Sequence, residues 1–178
     1  MQAEYPIYLD YYSTPNTRKT CHAVKQDLDP KTQQQAIETI ASTFIASHIL
    51  DDIKNPICLI PAPQPQKTNT KKLAETIANK TNTYLLDIVK RKPDEPLYVQ
   101  KQNDNQIKKP TFYLTGKYPK NATLIFIDNM ISSGQTYRAI NDLFDQDLLP
   151  LVYAIDYTTL KDEKILQLIE TIKNKNQI

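Results

Sequence analysis

The chain has 178 residues, among them 12 prolines, 2 cysteines and 2 glycines, and its 22 basic and 20 acidic side chains leave a net charge of +2. That length fits one domain with a single core, and the near-balance of charge gives no footprint for a general nucleic-acid or membrane-surface binder. The glycines stand at Gly116 and Gly134, where an average chain of this size would hold about a dozen, so neither the three-glycine dinucleotide fingerprint nor the P-loop can be built.

Cys21 and Cys58 are far apart and form no C-x-x-C pair, which argues against a disulfide framework or a zinc site. Residues 1–12 show no basic segment followed by an apolar one, and no apolar run reaches the roughly 18 residues of a membrane span. The expectation is a soluble, reduced, cytoplasmic protein.

In chain order, Tyr5, Ile7, Leu9 and Tyr11 alternate with Pro6, Tyr8 and Asp10, which predicts a short strand. Residues 13–16 read as a turn. Asp29 and Pro30 open a helix as cap and first helical residue. Ile37, Ile40, Ala41, Phe44, Ile45, His48 and Ile49 carry it at helical spacing to about Leu50. The apolar residues 56–60 read as a buried strand running into a loop at Pro61, Ala62 and Pro63.

Residues 70–80 are helical, with Leu73, Ala74, Ile77 and Ala78 on one face. Residues 84–89 read as a strand, residues 90–110 as irregular, and residues 111–114 as a short strand. Residues 122–127 carry the strongest strand signal. A helix over 136–147, a strand over 151–155 and a helix over 161–173 complete the chain. Strands alternating with helices predict an α/β fold with a parallel sheet, in which ligands sit at the carboxyl ends of strands.

One segment stands apart. Leu124, Ile125, Phe126 and Ile127 end at Asp128, and Asn129 to Ser133 form a short loop into Gly134 and a helix near Gln135 and Thr136. Ser132, Ser133 and Thr136 offer hydroxyls, and amides at a helix start favour an anion. Gly134 permits a tight turn and close approach of backbone to that anion. Asp128, at the strand end, can accept from hydroxyls that extend away from it. An anion on one side and hydroxyls on the other describe a phosphorylated sugar.

This string resembles the phosphoribosyl-pyrophosphate (PRPP) motif of type I phosphoribosyltransferases, a hydrophobic strand, two acidic residues and a Ser/Thr-rich loop around glycine. The resemblance extends over about residues 56–160. It is most like the ComF-like, amidophosphoribosyltransferase-like branch, through residues 60–63, the helix start at 73–78 and the basic Lys90, Arg91 and Lys92. The fold it implies is a Rossmann-like parallel sheet flanked by helices over residues 29–178, with residues 1–28 as an N-terminal hood or extension.

The resemblance implies a glycosyltransferase of nucleotide metabolism. It would bind PRPP with Mg²⁺ and transfer the 5-phosphoribosyl group to a nitrogenous acceptor, a nucleobase or amine, releasing pyrophosphate. Asp128 and Asn129 would hold the ribose hydroxyls as the catalytic pair, with Asp128 meeting the metal only through those hydroxyls or water. Asn129 departs from the family's second acidic residue. Ser132, Ser133, Gly134, Gln135 and Thr136 would hold the 5′-phosphate.

Ala62, Pro63 and Gln64, with Lys90, Arg91 and Lys92, would meet the pyrophosphate, and Lys67 or Lys71 could stand in for the basic residue often found in the first of those loops. Between Lys90 and Lys120 eight basic residues stand against three acidic ones, in the region of the family's catalytic lid. A homodimer is implied by the resemblance alone. The alternative reading is a non-catalytic PRPP or nucleotide sensor, motivated by Asn129.

Overall fold

The computed structural model describes residues 7–25, 29–51, 53–64, 69–92 and 111–156. The elements are β1 (Ile7–Tyr11), α1 (Pro15–Lys25), α2 (Pro30–Ala46), β2 (Ile57–Pro61), α3 (Asn69–Lys80), β3 (Tyr84–Leu85), β4 (Val89–Arg91), β5 (Phe112–Leu114), β6 (Thr123–Ile131), α4 (Gln135–Asn141) and β7 (Leu149–Ile155). The expected α/β class is what the chain adopts. Five strands form a sheet in the order β1-β7-β6-β2-β3, and each neighbouring pair is parallel.

Residues 7–25 fall within the stretch expected as an N-terminal hood or extension, and they form β1 and α1. β1 pairs with β7 along its length, with Ile7 opposite Leu151 and Tyr11 opposite Ile155. It thereby covers an edge whose backbone groups would otherwise lack partners. Residues 13–16 do not simply turn, because Pro15 opens α1, a position that suits its fixed φ and missing N–H. The buried apolar residues of α1 are Cys21, Ala23 and Val24, too few to show helical periodicity. Thr17, 2% exposed, donates to the Asp10 carboxylate at the end of β1.

α2 starts as its sequence predicts. The Asp29 carboxylate accepts from the Thr32 amide at 3.0 Å. The hydroxyl and amide of Thr32 hold that carboxyl below the usual range. The helix stops at Ala46, short of Leu50, because the Ser47 hydroxyl donates to the Phe44 carbonyl at 2.6 Å and His48 turns left-handed at φ 54°. A residue in that conformation ends a helix. His48 is thus an exposed exit residue beside Asp51, 2.7 Å away.

Two apolar layers sandwich the sheet. On one face Val24, Ile37, Ile40, Phe44, Leu73 and Ile77 from α1, α2 and α3 pack on Leu59, Ile125, Ile127 and Leu151. On the other, Ile140 of α4 and Val89 and Phe112 of the β4–β5 pair pack on Ile60, Leu124, Phe126 and Val152. Each fully buried Leu, Ile or Phe contributes about 1.5–3 kcal/mol. Strands covered on both faces explain the unbroken apolar runs of β2 and β7. Both cysteines are buried and unlinked, and burial pushes the Cys58 thiol up.

Two predicted elements take a different form. The single strand over 84–89 splits into β3 and β4, since β4 leaves the sheet to pair antiparallel with β5. The helix over 136–147 ends at Asn141, whose side-chain oxygen accepts from the Leu148 amide at 2.8 Å. The helix expected over 161–173 lies outside the described residues.

Candidate phosphate and ribose site

β2 and β6 are neighbours at the point where the strand order reverses. From β2, α3 leads to β3 on one side, and from β6, α4 leads to β7 on the other. Parallel sheets bind ligands in the crevice outside the carboxyl ends at such a point. The two loops flanking it are those after Pro61 and after Ile131.

β6 is longer than its apolar run suggests. Asp128 and Asn129 are strand residues, paired onward through Met130 and Ile131 to Ala154 and Ile155 of β7. Alternation therefore sends their side chains to opposite faces. Asp128 shares its face with Leu124 and Phe126 and borders an open crevice. One of its oxygens accepts from the Asn129 amide at 2.8 Å.

Asn129 is fully buried on the face of Ile125 and Ile127. Its amide donates to the Cys21 carbonyl of α1 at 3.0 Å, and its own carbonyl accepts from the Cys21 thiol at 3.5 Å. The Asn129 side-chain oxygen is buried without a hydrogen-bond partner. The two members of the expected pair thus do not converge. A carboxylate at 129 would face a carbonyl oxygen, and this accounts for an amide there.

The crevice is lined by Phe126, Asp128, Met130, Ile131, Ser132, Ser133, Gly134, Gln135, Thr136 and Tyr137. All five residues expected to hold a phosphate are among them. Gly134 caps α4 at φ 71°, a left-handed conformation that favours glycine. α4 has only seven residues, so its dipole adds little, and the lining residues Ser132, Ser133 and Thr136 carry hydroxyls. The Tyr137 ring lies 5.6 Å from that of Phe126 and its hydroxyl donates to the Leu148 carbonyl at 2.8 Å. Burial, with Asp147 nearby, pushes its phenol up to about 12, so it stays neutral.

Arg138 escapes the sequence reading. Its guanidinium folds back and donates to the Ser133 carbonyl at 2.8 Å. The only available signal is its spacing, four residues beyond Gly134, where a helical side chain leans toward the N-terminus.

The loop after β2 is of another kind. The Ala62 amide donates to the Ile127 carbonyl at 2.9 Å, which holds this loop beside the root of Asp128. Gln64 accepts from the Thr70 amide at 3.4 Å. None of Ala62, Pro63, Gln64, Lys90, Arg91 and Lys92 lines the crevice. Lys90 lies 2.7 Å from one oxygen of Asp87 and Lys71 of α3 lies 2.9 Å from the other. Burial raises the Asp87 carboxyl, but hydrogen bonds from Lys90 and Lys71 outweigh it, and the net shift is downward. The Lys92 amide donates to the Thr111 carbonyl. Lys67 and residues 93–110 lie outside the described residues.

Among the described residues no three His, Cys, Asp or Glu side chains gather as a metal site, and Asp128 is the one carboxylate on the crevice. Mg²⁺ is commonly held by one or two carboxylates together with substrate phosphates. Among the described residues no helix is long and apolar enough to cross a membrane.

No family model and no curated protein sequence matches the chain. Among solved structures it is similar to adenine phosphoribosyl transferase from Trypanosoma brucei in complex with AMP, pyrophosphate and ribose-5-phosphate. That likeness covers 91% of this chain and 89% of the other at 16% identity, with a TM-score of 0.49.

Proposed function

We propose that the protein binds PRPP with Mg²⁺ and transfers its 5-phosphoribosyl group to a nitrogen nucleophile, a nucleobase or amine, with release of pyrophosphate. The observation that carries this reading is one crevice, at the reversal of strand order, lined both by Asp128 and by the loop of Ser132, Ser133, Gly134 and Thr136. That is an acceptor for hydroxyls beside donors for an anion, the two needs of a ribose 5-phosphate. The finer placement in the ComF-like branch and a homodimer belong to the same proposal and rest on the sequence resemblance; a cytoplasmic setting rests on the two unlinked cysteines and the apolar pattern of the sequence.

In this reading the loop amides and hydroxyls anchor the 5′-phosphate and Asp128 orients the ribose hydroxyls. Holding the sugar rigidly while positive charge develops at its anomeric carbon is positional and electrostatic help. Mg²⁺ carried by the substrate would neutralise the departing diphosphate. Lys71 and Lys90 would meet that diphosphate from the β2 side once released from Asp87, with Arg91, Lys92 and residues 62–64 beside them. Asn129 contributes by fixing β6 against α1.

A second reading, a non-catalytic PRPP or nucleotide sensor, is favoured by the burial of Asn129, which leaves Asp128 as the one acidic side chain on the crevice. Calorimetry with PRPP and Mg²⁺, beside a pyrophosphate-release assay across bases and amines, separates the two. Binding with turnover supports transfer, binding without turnover supports the sensor, and no binding at millimolar PRPP refutes both.

A further inference from the structure

We propose that Arg138 is a positioning residue that locks the Ser133–Gly134 peptide, so that the Gly134 N–H is held toward the anion site; the part of this concerning the ligand rests on the phosphate reading above. The Arg138 guanidinium donates to the Ser133 carbonyl at 2.8 Å, yet Arg138 does not line the crevice, whereas Ser133 and Gly134 do. The carbonyl is therefore captured from outside the crevice. In a trans peptide the C=O and N–H point to opposite sides, so the N–H of the same peptide is directed inward.

A peptide next to glycine needs such a lock. Glycine visits left-handed and right-handed conformations about equally, and a flip of the Ser133–Gly134 peptide would turn a carbonyl oxygen toward the anion. The contact also constrains the residue at 134. A Cβ built there would stand 3.0 Å from the Arg138 Nη1 atom, so the guanidinium lies across the place where a side chain would start. Glycine at 134 is called for twice, by its φ of 71° and by Arg138.

The chain itself supplies the probe. With only Gly116 and Gly134, protein labelled with ¹⁵N-glycine gives two backbone amide signals, and Gly116 serves as reference. In the ligand-free wild type the Gly134 signal should be single and sharp. In Arg138→Ala it should broaden or split before any ligand is added, while Gly116 stays in place and confirms the fold. Affinity for ribose 5-phosphate should fall about tenfold, the effect of one hydrogen bond to a charged group.

A Gly134 signal unmoved in ligand-free Arg138→Ala overturns the lock, even if affinity falls, because a guanidinium acting only as countercharge would leave the free state unchanged. A wild-type Gly134 signal that ignores millimolar ribose 5-phosphate refutes the phosphate reading, and the lock is still judged by the free-state spectrum.

Discussion

The two loops that flank the reversal of strand order differ in how ready they are. The loop after β6 is set before any ligand arrives: Gly134 already holds φ 71°, and Arg138 already holds the Ser133 carbonyl. The loop after β2 presents Ala62, Pro63 and Gln64, none charged, and Lys71 of α3 and Lys90 of β4 are both engaged by Asp87. In the proposed reaction the phosphate end is preorganised, and the diphosphate end is assembled when substrate displaces Asp87. The difference teaches that a single carboxylate can keep two cations close without a bound anion.

The strongest way to break this comparison is Gly134→Val. A β-branched residue is strained at positive φ, and its side chain would start against Arg138. Calorimetry should detect no binding of ribose 5-phosphate, while Gly116→Ala, in a bend where a Cβ would meet only the Ile88 side chain at 3.3 Å, should bind as wild type. Next is Asp128→Ala. Pyrophosphate release should slow about a hundredfold, the scale of losing one preorganised electrostatic contact, with the melting temperature nearly unchanged because the side chain is only half buried.

Asn129→Asp should act the other way. It buries a carboxylate against the Cys21 carbonyl and should lower stability in urea by about 2 kcal/mol, without raising turnover. A rise in turnover would show that position 129 serves the ribose after all. Asp87→Ala sharpens the contrast between the loops. Freed of their shared counter-ion, Lys71 and Lys90 should bind pyrophosphate a few-fold more tightly, and weaker binding would mean that Asp87 positions them for the ligand.

The smallest effect is that of acid on the same cluster. Asp87 has a lowered carboxyl value, so its stabilisation is complete above the ordinary Asp range, about pH 4, and is lost as pH falls through the lower folded value. Urea melts of wild type and Asp87→Asn should differ by a constant amount, under about 1 kcal/mol, between pH 5 and 8, and converge in acid.

Where local chemistry settles an element, the sequence shows it. Asp29 and Pro30 announce α2, and the apolar runs of β2 and β6 announce a sheet covered on both faces. Residues 132–136 stand out in the sequence because hydroxyls surround a glycine there, and they line the crevice. The rest depends on partners distant in the chain. α1 is hidden because its buried face is mostly small residues and Thr17. Asn129 looks like half of a pair until alternation along β6 turns it toward Cys21, 108 positions away. The Lys71–Asp87–Lys90 cluster joins a helix to a strand end that no spacing rule connects.

The central claim is that the loop between β6 and α4 holds a sugar phosphate. Titration of ribose 5-phosphate into wild type and Gly134→Val, followed by calorimetry, tests it most directly. The account predicts saturable binding to wild type and none to the variant; equal affinity in both would contradict it.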